Sequence, residues 1–369
     1  MRMAKCCEET WKSFSRMQRD LEIHGMFKRR YLLGAFTAAF ILSSASLPIN
    51  ADTIFACSQP SKAPKYLGTL SLASIPANMP TAQWGIDQGC FKKYGLEIKT
   101  TSVASAQIGM AGLVGESFDL FMNTPSNIVS AMANGDFAAK IIAPRHGYSA
   151  EELARAKREP LYPGQLLMQT VLLVKKSSAI QSWKDLEKSK IGVKSFRGPD
   201  HAGVILAMRA NAANSYKTEF LAMTDAQMVA ALDRGDVDAV VPSDPYATSI
   251  ILSGARVIGY PSAYYFEPGA AVVYVSTATI VAKKPAAMRA FQKAILEINH
   301  LLNLPQNEAT YRKTIAKVTG VSDDAVAKLK LPKLSESNVA LSEISYISNK
   351  LKLLGFTKSR VSVGHILFR

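Results

Sequence analysis

The sequence predicts an α/β protein made of two Rossmann-like lobes. Its 369 residues exceed one average domain and suit two. Short apolar stretches alternate with helical stretches of about 10–15 residues, a pattern typical of βαβ units and of an open, largely parallel sheet. The pattern restarts about 120 residues further along the chain. A period of that length predicts a duplicated lobe rather than a solenoid repeat.

The composition predicts a folded, basic protein. Apolar residues make up 48% of the chain, and the formal net charge is +15 with a pI near 9.6. A basic balance can indicate nucleic-acid binding. Here the lysines and arginines are scattered, with no run of five and no basic stripe interleaved with aromatic residues. We therefore interpret the charge as general solubility with a bias toward anionic partners, and expect no nucleic-acid partner.

The N-terminal region predicts a secretory signal peptide. Basic residues 28–30 precede an apolar stretch of about 17 residues, which ends before Pro48 and the small residue Ala51. This order favours export to the periplasm, with cleavage after Ala51 and residues 1–51 as the signal with an N-terminal extension. The alternative is a membrane anchor, for which the stretch lies at the short limit. Translation could begin at Met1 or Met26.

Two cysteines remain beyond the predicted cleavage point, Cys57 and Cys90. An oxidising compartment permits a disulfide between them, but the sequence does not fix their distance. A disulfide and two free thiols therefore stay open as alternatives. Lipidation at Cys57 is the less favoured option because the bulky Phe55 lies two residues before it.

The first lobe begins with an alternating strand, TLSLASIPA, followed by an amphipathic helix over residues 81–95 that ends at Gly95. The next segments are predicted as a strand (LEIKTTSV), a small-residue helix (SAQIGMAGLVGESF) and a short strand (DLFMN). Thr124 then caps a helix whose first position is Pro125, and AAKIIAP forms a further strand.

The second lobe repeats this order. The predicted strands are TVLLVKK, KIGVKSF, TEFLAM and DAVV, and the helices are SWKDLEKS, residues 199–213 and a segment that Thr224 caps. Residues 115–125 (GESFDLFMNTP) also align with residues 235–245 (GDVDAVVPSDP). Each segment has a turn with Gly and an acidic residue, a short strand and a Pro before a helix. Coincidence between two ordinary segments is the alternative to duplication.

Small polar residues occur where strands end and helices begin, in segments 74–81, 123–126, 195–201 and 243–246. In an open α/β sheet, ligands bind beyond the carboxyl ends of the strands. Helix N-termini there present free N–H groups and the positive end of the helix dipole, which suit anions. The sequence therefore predicts a cleft between the lobes that closes on a small molecule.

Motifs for catalysis, cofactors and metals are missing from the sequence. It contains no H-E-x-x-H, no G-x-S-x-G, no Walker loop and no spaced Cys/His set. Gly109, Gly112 and Gly115 form a small-residue helix face and do not match a dinucleotide fingerprint. We therefore expect no catalytic residues, no cofactor and no metal.

Four segments in order carry a resemblance to a known family. They are QWGIDQGCFKKYGLEI, the G-E-x-x-D of residues 115–119, VLLVKKSSAIQSWKDLEKSKIGV and ALDRGDVDAVVPSDP. Together they resemble the solute-binding proteins of ABC importers in the nitrate/sulfonate/taurine group (SsuA/TauA/ThiY-like, NMT1/THI5-like), over residues 67–305. The resemblance implies a type II periplasmic-binding-protein fold, a periplasmic location, a monomer and an ABC permease in the inner membrane as partner. The implied ligand is a small anion of the sulfonate, nitrate or carboxylate type.

The family organisation also implies lobe boundaries. One lobe would comprise residues 65–172 plus 270–369, because the family packs the later helix at 283–302 back on the first lobe, and the other residues 173–269. Residues 145–165 form a charged insertion at which the family geometry is in doubt. Two alternatives remain: an enzyme on the same fold, resembling thiamine-pyrimidine synthases or menaquinone-pathway enzymes, and a ligand-sensing periplasmic module.

The predicted ligand contacts lie in these turns, with Trp84 added because it lies in the first turn of the first helix. They are Ser74, Asn78, Trp84, Asn123, Thr124, Ser126, Ser195, Arg197, Asp244 and Tyr246. Each has an ordinary alternative: Arg197 a solvated loop, Asp244 a helix cap and Trp84 the core. His201 could face the cleft or solvent, and the aromatic triplet 264–266 could line the cleft or pack in the core.

Overall fold

A computed structural model describes residues 57–369 apart from 59 and 136. The predicted signal peptide at residues 1–51 lies outside the described residues. In the described part of the chain, no helix has both the length and the apolar character needed to cross a bilayer.

In the described residues, ten strands form two five-stranded sheets. Their bounds are β1 Gly68–Ser74, β2 Leu96–Ser102, β3 Leu120–Asn123, β4 Ala139–Tyr148, β5 Leu172–Val174, β6 Lys190–Val193, β7 Glu219–Ala222, β8 Ala239–Val240, β9 Arg256–Gly259 and β10 Gly269–Thr277. The strand orders are β2-β1-β3-β10-β4 and β7-β6-β8-β5-β9. The second order reproduces the first position by position, which supports the predicted duplication.

Both sheets are mixed, with two parallel and two antiparallel pairings each, rather than largely parallel as predicted. In the first, β1 pairs parallel with β2 and β3, whereas β10 pairs antiparallel with β3 and β4. In the second, β6 pairs parallel with β7 and β8, whereas β5 pairs antiparallel with β8 and β9. The antiparallel strand β5 is the first strand of its sheet along the chain, whereas β10 is the last strand of its own sheet. β10 joins the first sheet after the chain has built the second.

Two of the helices that flank the sheets begin at predicted polar caps. Thr124 accepts a hydrogen bond from the Asn127 N–H, and Thr224 from the Gln227 N–H, so both predicted caps are confirmed. The α-helices are α1 Pro80–Asp87, α2 Cys90–Lys93, α3 Ala106–Val114, α4 Pro125–Asn134, α5 Ala150–Arg158, α6 Pro199–Ala210, α7 Asp225–Arg234, α8 Tyr246–Leu252, α9 Pro261–Tyr265, α10 Ala278–Lys283, α11 Pro285–Leu302, α12 Glu308–Thr319, α13 Asp323–Ala327 and α14 Ser345–Leu353.

Two local predictions need correction. The single helix predicted over residues 81–95 divides into α1 and α2, because Gly89 adopts a left-handed conformation with φ of 72°. The short helix predicted in SWKDLEKS is a 3-10 turn, Trp183–Leu186. The charged segment 145–165 extends β4 to Tyr148 and then forms α5, whose N-terminus has a capping box of Ser149 and Glu152.

The core around the first sheet is closed by a late helix and a disulfide. On α11, Gln292 Nε2 donates to the Ile142 carbonyl at 2.6 Å and Asn299 Nδ2 donates to the Pro144 carbonyl at 3.1 Å, so α11 packs on β4. A disulfide joins Cys57 to Cys90, both buried. This settles the alternative that the sequence left open. The exact lobe boundaries stay a prediction.

Candidate functional site

A cavity of about 390 Å³ lies at the carboxyl ends of the parallel strands of both sheets. From the first sheet it is lined by residues that follow β1, β2 and β3, and from the second by residues that follow β6, β7 and β8. This is the position at which open α/β sheets bind ligands. Helices α1, α3, α4, α6, α7 and α8 begin at or beside this lining.

Six of the ten predicted contact residues line the cavity: Asn78, Asn123, Thr124, Ser195, Asp244 and Tyr246. Phe266 of the aromatic triplet also lines it. The loop after β2, residues 103–106, contributes a further part of the wall that sequence reasoning missed. Small residues there, including the helix cap Ser105, were the available signal.

The other four predicted contacts are not part of the cavity lining. Trp84 is fully buried, and its Nε1 donates to Thr310 Oγ1 at 3.0 Å. The hydroxyl of Ser74 donates to the Ile75 carbonyl, and the Ser126 hydroxyl bonds to that of Thr124. Arg197 is exposed in a left-handed turn with φ of 61°. These positions favour the structural alternative for each of the four.

The remaining ring candidates, His201 and Tyr264, pack against other aromatic side chains. The His201 ring lies 4.3 Å from the Phe220 ring and 5.3 Å from the Phe356 ring, and burial lowers its pKa to about 4. Tyr264 packs edge-on against Trp183. None of these rings belongs to the lining, so core packing is the use that the structure gives them.

Asn123 presents an unpaired donor. Its Oδ1 accepts hydrogen bonds from the Thr124 N–H at 2.8 Å and from Asn127 Nδ2 at 2.9 Å. These two donors fix the orientation of the side-chain amide. Its Nδ2 is buried and has no hydrogen-bond partner among the described residues. A buried N–H without a partner costs about 1–3 kcal/mol.

Asp244 has an unpaired carboxyl oxygen. Its Oδ1 accepts from the Thr248 N–H at 3.1 Å and from Thr248 Oγ1 at 2.7 Å, whereas Oδ2 is buried with no partner in the described part of the chain. Burial raises the pKa of this carboxyl to about 7, against the lowering effect of the Thr248 hydrogen bonds. The carboxylate of Asp225 adds a smaller upward contribution to that pKa.

Arg145 places a buried cation in the wall. The residue is 4% exposed, and its Nε donates to Thr81 Oγ1 at 3.1 Å. Its Nη1 lies 2.7 Å from His146 Nδ1. Burial lowers the pKa of His146 well below its usual range, and the charge of Arg145 lowers it further. The imidazole is therefore neutral and accepts this bond.

No ion pair among the described residues involves Arg145. A buried charge without a partner is unfavourable, and an anionic ligand would supply the missing counter-ion. The sequence analysis missed Arg145 because it lies in the segment interpreted as an insertion. A basic residue directly after the apolar run AAKIIAP was the signal that could have found it.

The wall from the second sheet contains more acids than bases. Lys194 Nζ lies 2.9 Å from Asp200 Oδ2 and donates to Ser243 Oγ at 2.8 Å. Asp225 Oδ1 accepts from the Ser243 N–H at 2.7 Å, and burial raises the pKa of this carboxyl. These lining residues were also missed by sequence reasoning.

Comparisons with known proteins agree with this architecture. A model of the NMT1-like family matches residues 69–319. The alkanesulfonate-binding protein SsuA of Xanthomonas axonopodis pv. citri, solved with MOPS bound, shares 17% identity at a TM-score of 0.64, over 85% of this chain and 100% of that chain. The periplasmic aliphatic sulphonate binding protein SsuA of Escherichia coli shares 17% identity at a TM-score of 0.61, over 82% of this chain and 92% of that chain.

An enzyme shares the same fold. The desulfurization enzyme DSZB is 12% identical at a TM-score of 0.60, over 81% of this chain and 96% of that chain. Identities this low establish a shared fold and leave ligand and activity open. No curated protein matches the sequence. The family match covers more than half of the chain, and the structural matches share its two-sheet, periplasmic-binding-protein fold. The chain therefore belongs to the NMT1-like family.

Proposed function

We propose that this protein is the solute-binding component of an ABC importer and that it binds a small organic anion. The observation that carries the proposal is a buried cation in the cavity lining. Arg145 is 4% exposed and lies outside every ion pair of the described residues. The helix N-termini that begin at this wall add favourable potential for an anion.

The size of the cavity favours an anion with an organic body. A volume of about 390 Å³ lies in the range of small-molecule sites and far exceeds a four-atom nitrate ion. Apolar side chains such as Met122, Val103 and Phe266 contribute to the lining and would contact that body. A sulfonate or a carboxylate fits this combination better than nitrate.

The proposal includes a periplasmic location and an inner-membrane permease as partner. The signal-peptide pattern before Ala51 supports export, and a structural match is named as a periplasmic protein. Protein from the periplasmic fraction is then expected to begin close to Asp52. The proposal also includes a monomer that acts by binding, without chemical conversion of the ligand.

The alternative is an enzyme, since DSZB shares the fold. Among the described lining residues there is no cysteine, and the one imidazole, His146, bonds to Arg145 through Nδ1. This arrangement supports binding rather than attack on the ligand. Incubation with a sulfonate, followed by mass spectrometry of the small molecules, tests the point, because a converted product would favour the enzyme.

Calorimetric titration with 3-(N-morpholino)propanesulfonate (MOPS) and ethanesulfonate tests the anion proposal. Asn123→Asp keeps Oδ1 for Thr124 and Asn127 but replaces the free donor with a second carboxylate oxygen. We expect the affinity to fall by about 5- to 150-fold, the effect of about 1–3 kcal/mol. Glu116→Gln is the control, because Glu116 is exposed and pairs with Lys283 away from the lining. Equal affinities in the parent and Asn123→Asp, with folding intact, would contradict the proposal.

A further inference from the structure

Arg145 lies between two cavities of different size. It lines the cavity of about 390 Å³ and also a smaller one of about 20 Å³, whose wall includes Tyr311 and residues 329–332. The smaller cavity has room for about one water molecule and cannot hold an organic anion. An arginine side chain has several rotatable bonds, so its orientation decides which cavity its charge serves. The contacts that fix this side chain are therefore part of the binding site.

Two hydrogen bonds fix the guanidinium of Arg145. Its Nε donates to Thr81 Oγ1 at 3.1 Å, and its Nη1 donates to His146 Nδ1 at 2.7 Å. Because the guanidinium is planar and rigid, bonds at two of its nitrogens determine the direction of the third. Nη2 makes no hydrogen bond to the described residues and is not closed to solvent. It is the nitrogen left for a ligand.

The hydroxyl of Thr81 is itself held by a distant helix. Its Oγ1 lies 3.0 Å from the hydroxyl oxygen of Tyr311, and both side chains are buried. A hydroxyl carries two lone pairs and one proton, so Thr81 can accept from Arg145 and bond to Tyr311 at the same time. Thr81 belongs to α1 and Tyr311 to α12, 230 residues further along the chain. The direction of the guanidinium therefore depends on how α12 packs on α1.

A second hydrogen bond joins the same two helices and does not involve Arg145. Trp84 Nε1 on α1 donates to Thr310 Oγ1 on α12 at 3.0 Å, and neither residue lines either cavity. Both bonds tie α1 to α12, but only the bond between Thr81 and Tyr311 continues to the guanidinium. An effect that passes through Arg145 can therefore be separated from an effect of helix packing.

We propose that Thr81 and Tyr311 are positioning residues, which hold the Arg145 guanidinium toward the larger cavity and thereby set its affinity for the anion. Neither belongs to the lining of that cavity, so each acts through Arg145. A cation that is held in place before binding avoids the cost of immobilising its side chain when the ligand arrives. This inference rests on the proposed function and names the residues that orient its cation.

Thr81→Val tests the positioning directly, because it nearly keeps the shape of the side chain and removes the acceptor of Arg145 Nε. In protein with ¹⁵N-labelled arginine, the Nε–H signal of Arg145 is identified by its loss in Arg145→Lys. We expect its exchange with solvent to become about 5- to 150-fold faster in Thr81→Val, the effect of losing a buried hydrogen bond. Tyr311→Phe keeps the acceptor but frees its rotation, so a smaller increase is expected. Thr81→Ser keeps the hydroxyl and should restore slow exchange.

Calorimetric titration with MOPS measures the consequence for binding. We expect Thr81→Val to bind about 5- to 150-fold more weakly than the parent, and Thr81→Ser to bind within about twofold of it. Thr310→Val is the matched control, because the same substitution on the same helix pair removes the bond from Trp84. It should lower the free energy of unfolding and leave the MOPS affinity within about twofold. In Arg145→Lys, adding Thr81→Val should change the affinity by less than about twofold, since the route through the guanidinium is gone.

The outcomes separate this inference from the proposed function. An unchanged Arg145 signal in Thr81→Val overturns the inference, even if the parent binds MOPS. Equal losses of affinity in Thr81→Val and Thr310→Val also overturn it, because both would then report only the packing of α1 on α12. If the folded parent binds neither MOPS nor ethanesulfonate, the proposed function fails and this inference fails with it.

Discussion

At the scale of single residues, the carboxyl group of Asp244 makes the stability of the fold depend on pH. The folded protein holds its proton up to about pH 7, whereas the unfolded chain releases it near the usual value of 3.8. Between these values the folded state binds more protons than the unfolded state. The contribution of Asp244 to stability therefore falls as pH rises from about 4 to about 7.

Asp244→Asn should remove this pH dependence, since the amide does not ionise. We expect the free energy of unfolding of the variant, relative to the parent, to increase between pH 5 and pH 8 by about 1–4 kcal/mol. Urea unfolding at several pH values measures the difference. Asp225 also has a raised pKa, but it is present in both proteins, so its contribution cancels in the difference between them. A constant difference across this range would contradict the assigned pKa shift.

At the scale of elements, the packing of α6 on α9 depends on Gly203. A Cβ atom added at this position would lie 2.5 Å from the carbonyl oxygen of Pro261 and 2.7 Å from its carbonyl carbon. Backbone atoms cannot move aside as a flexible side chain can, so the two helices would have to separate. The same helix α6 carries Asp200 to the cavity wall.

Gly203→Ala is therefore expected to destabilise the fold by about 1–3 kcal/mol, the usual cost of overpacking. The free energy of urea unfolding provides the measurement. Gly115→Ala at the end of α3 serves as the matched control, because the nearest atom to its added Cβ would be at an ordinary 3.4 Å. If Gly203→Ala were as stable as the parent, α6 and α9 would not be packed as closely as described.

At the scale of the whole molecule, the C-terminal part of the chain contacts helices that follow strands of the second sheet. Tyr246 donates its hydroxyl to the Thr319 carbonyl at 3.0 Å, and the Phe356 ring stacks on His201. In the segment between α5 and β5, Gln169 Nε2 donates to the Lys330 carbonyl at 3.2 Å. Any movement of residues 173–269 against the remainder would have to rearrange the first two contacts.

We expect MOPS to favour the compact arrangement, because a ligand held from both sheets stabilises the state in which both walls reach it. The radius of gyration from small-angle X-ray scattering should decrease on saturation with MOPS. N-Methylmorpholine, which lacks the sulfonate, should leave it unchanged. Identical scattering with and without saturating MOPS would exclude lobe closure as the binding motion.

The sequence by itself determined the local elements and the order in which they occur. Alternating apolar runs defined β1 and β2, and Thr124 and Thr224 marked the starts of α4 and α7, because propensity, periodicity and capping act over a few residues. The polar turns after the strands also located six of the residues that line the cavity.

Only the tertiary structure decided which side chains face that cavity and what their partners are. Arg145 acquires its role from Thr81, which lies 64 residues away in the chain, and from the absence of a carboxylate partner among the described residues. The Cys57–Cys90 disulfide and the antiparallel position of β10 likewise depend on segments far apart in sequence. Such contacts are set by packing between distant elements, whereas local patterns carry information only about near neighbours.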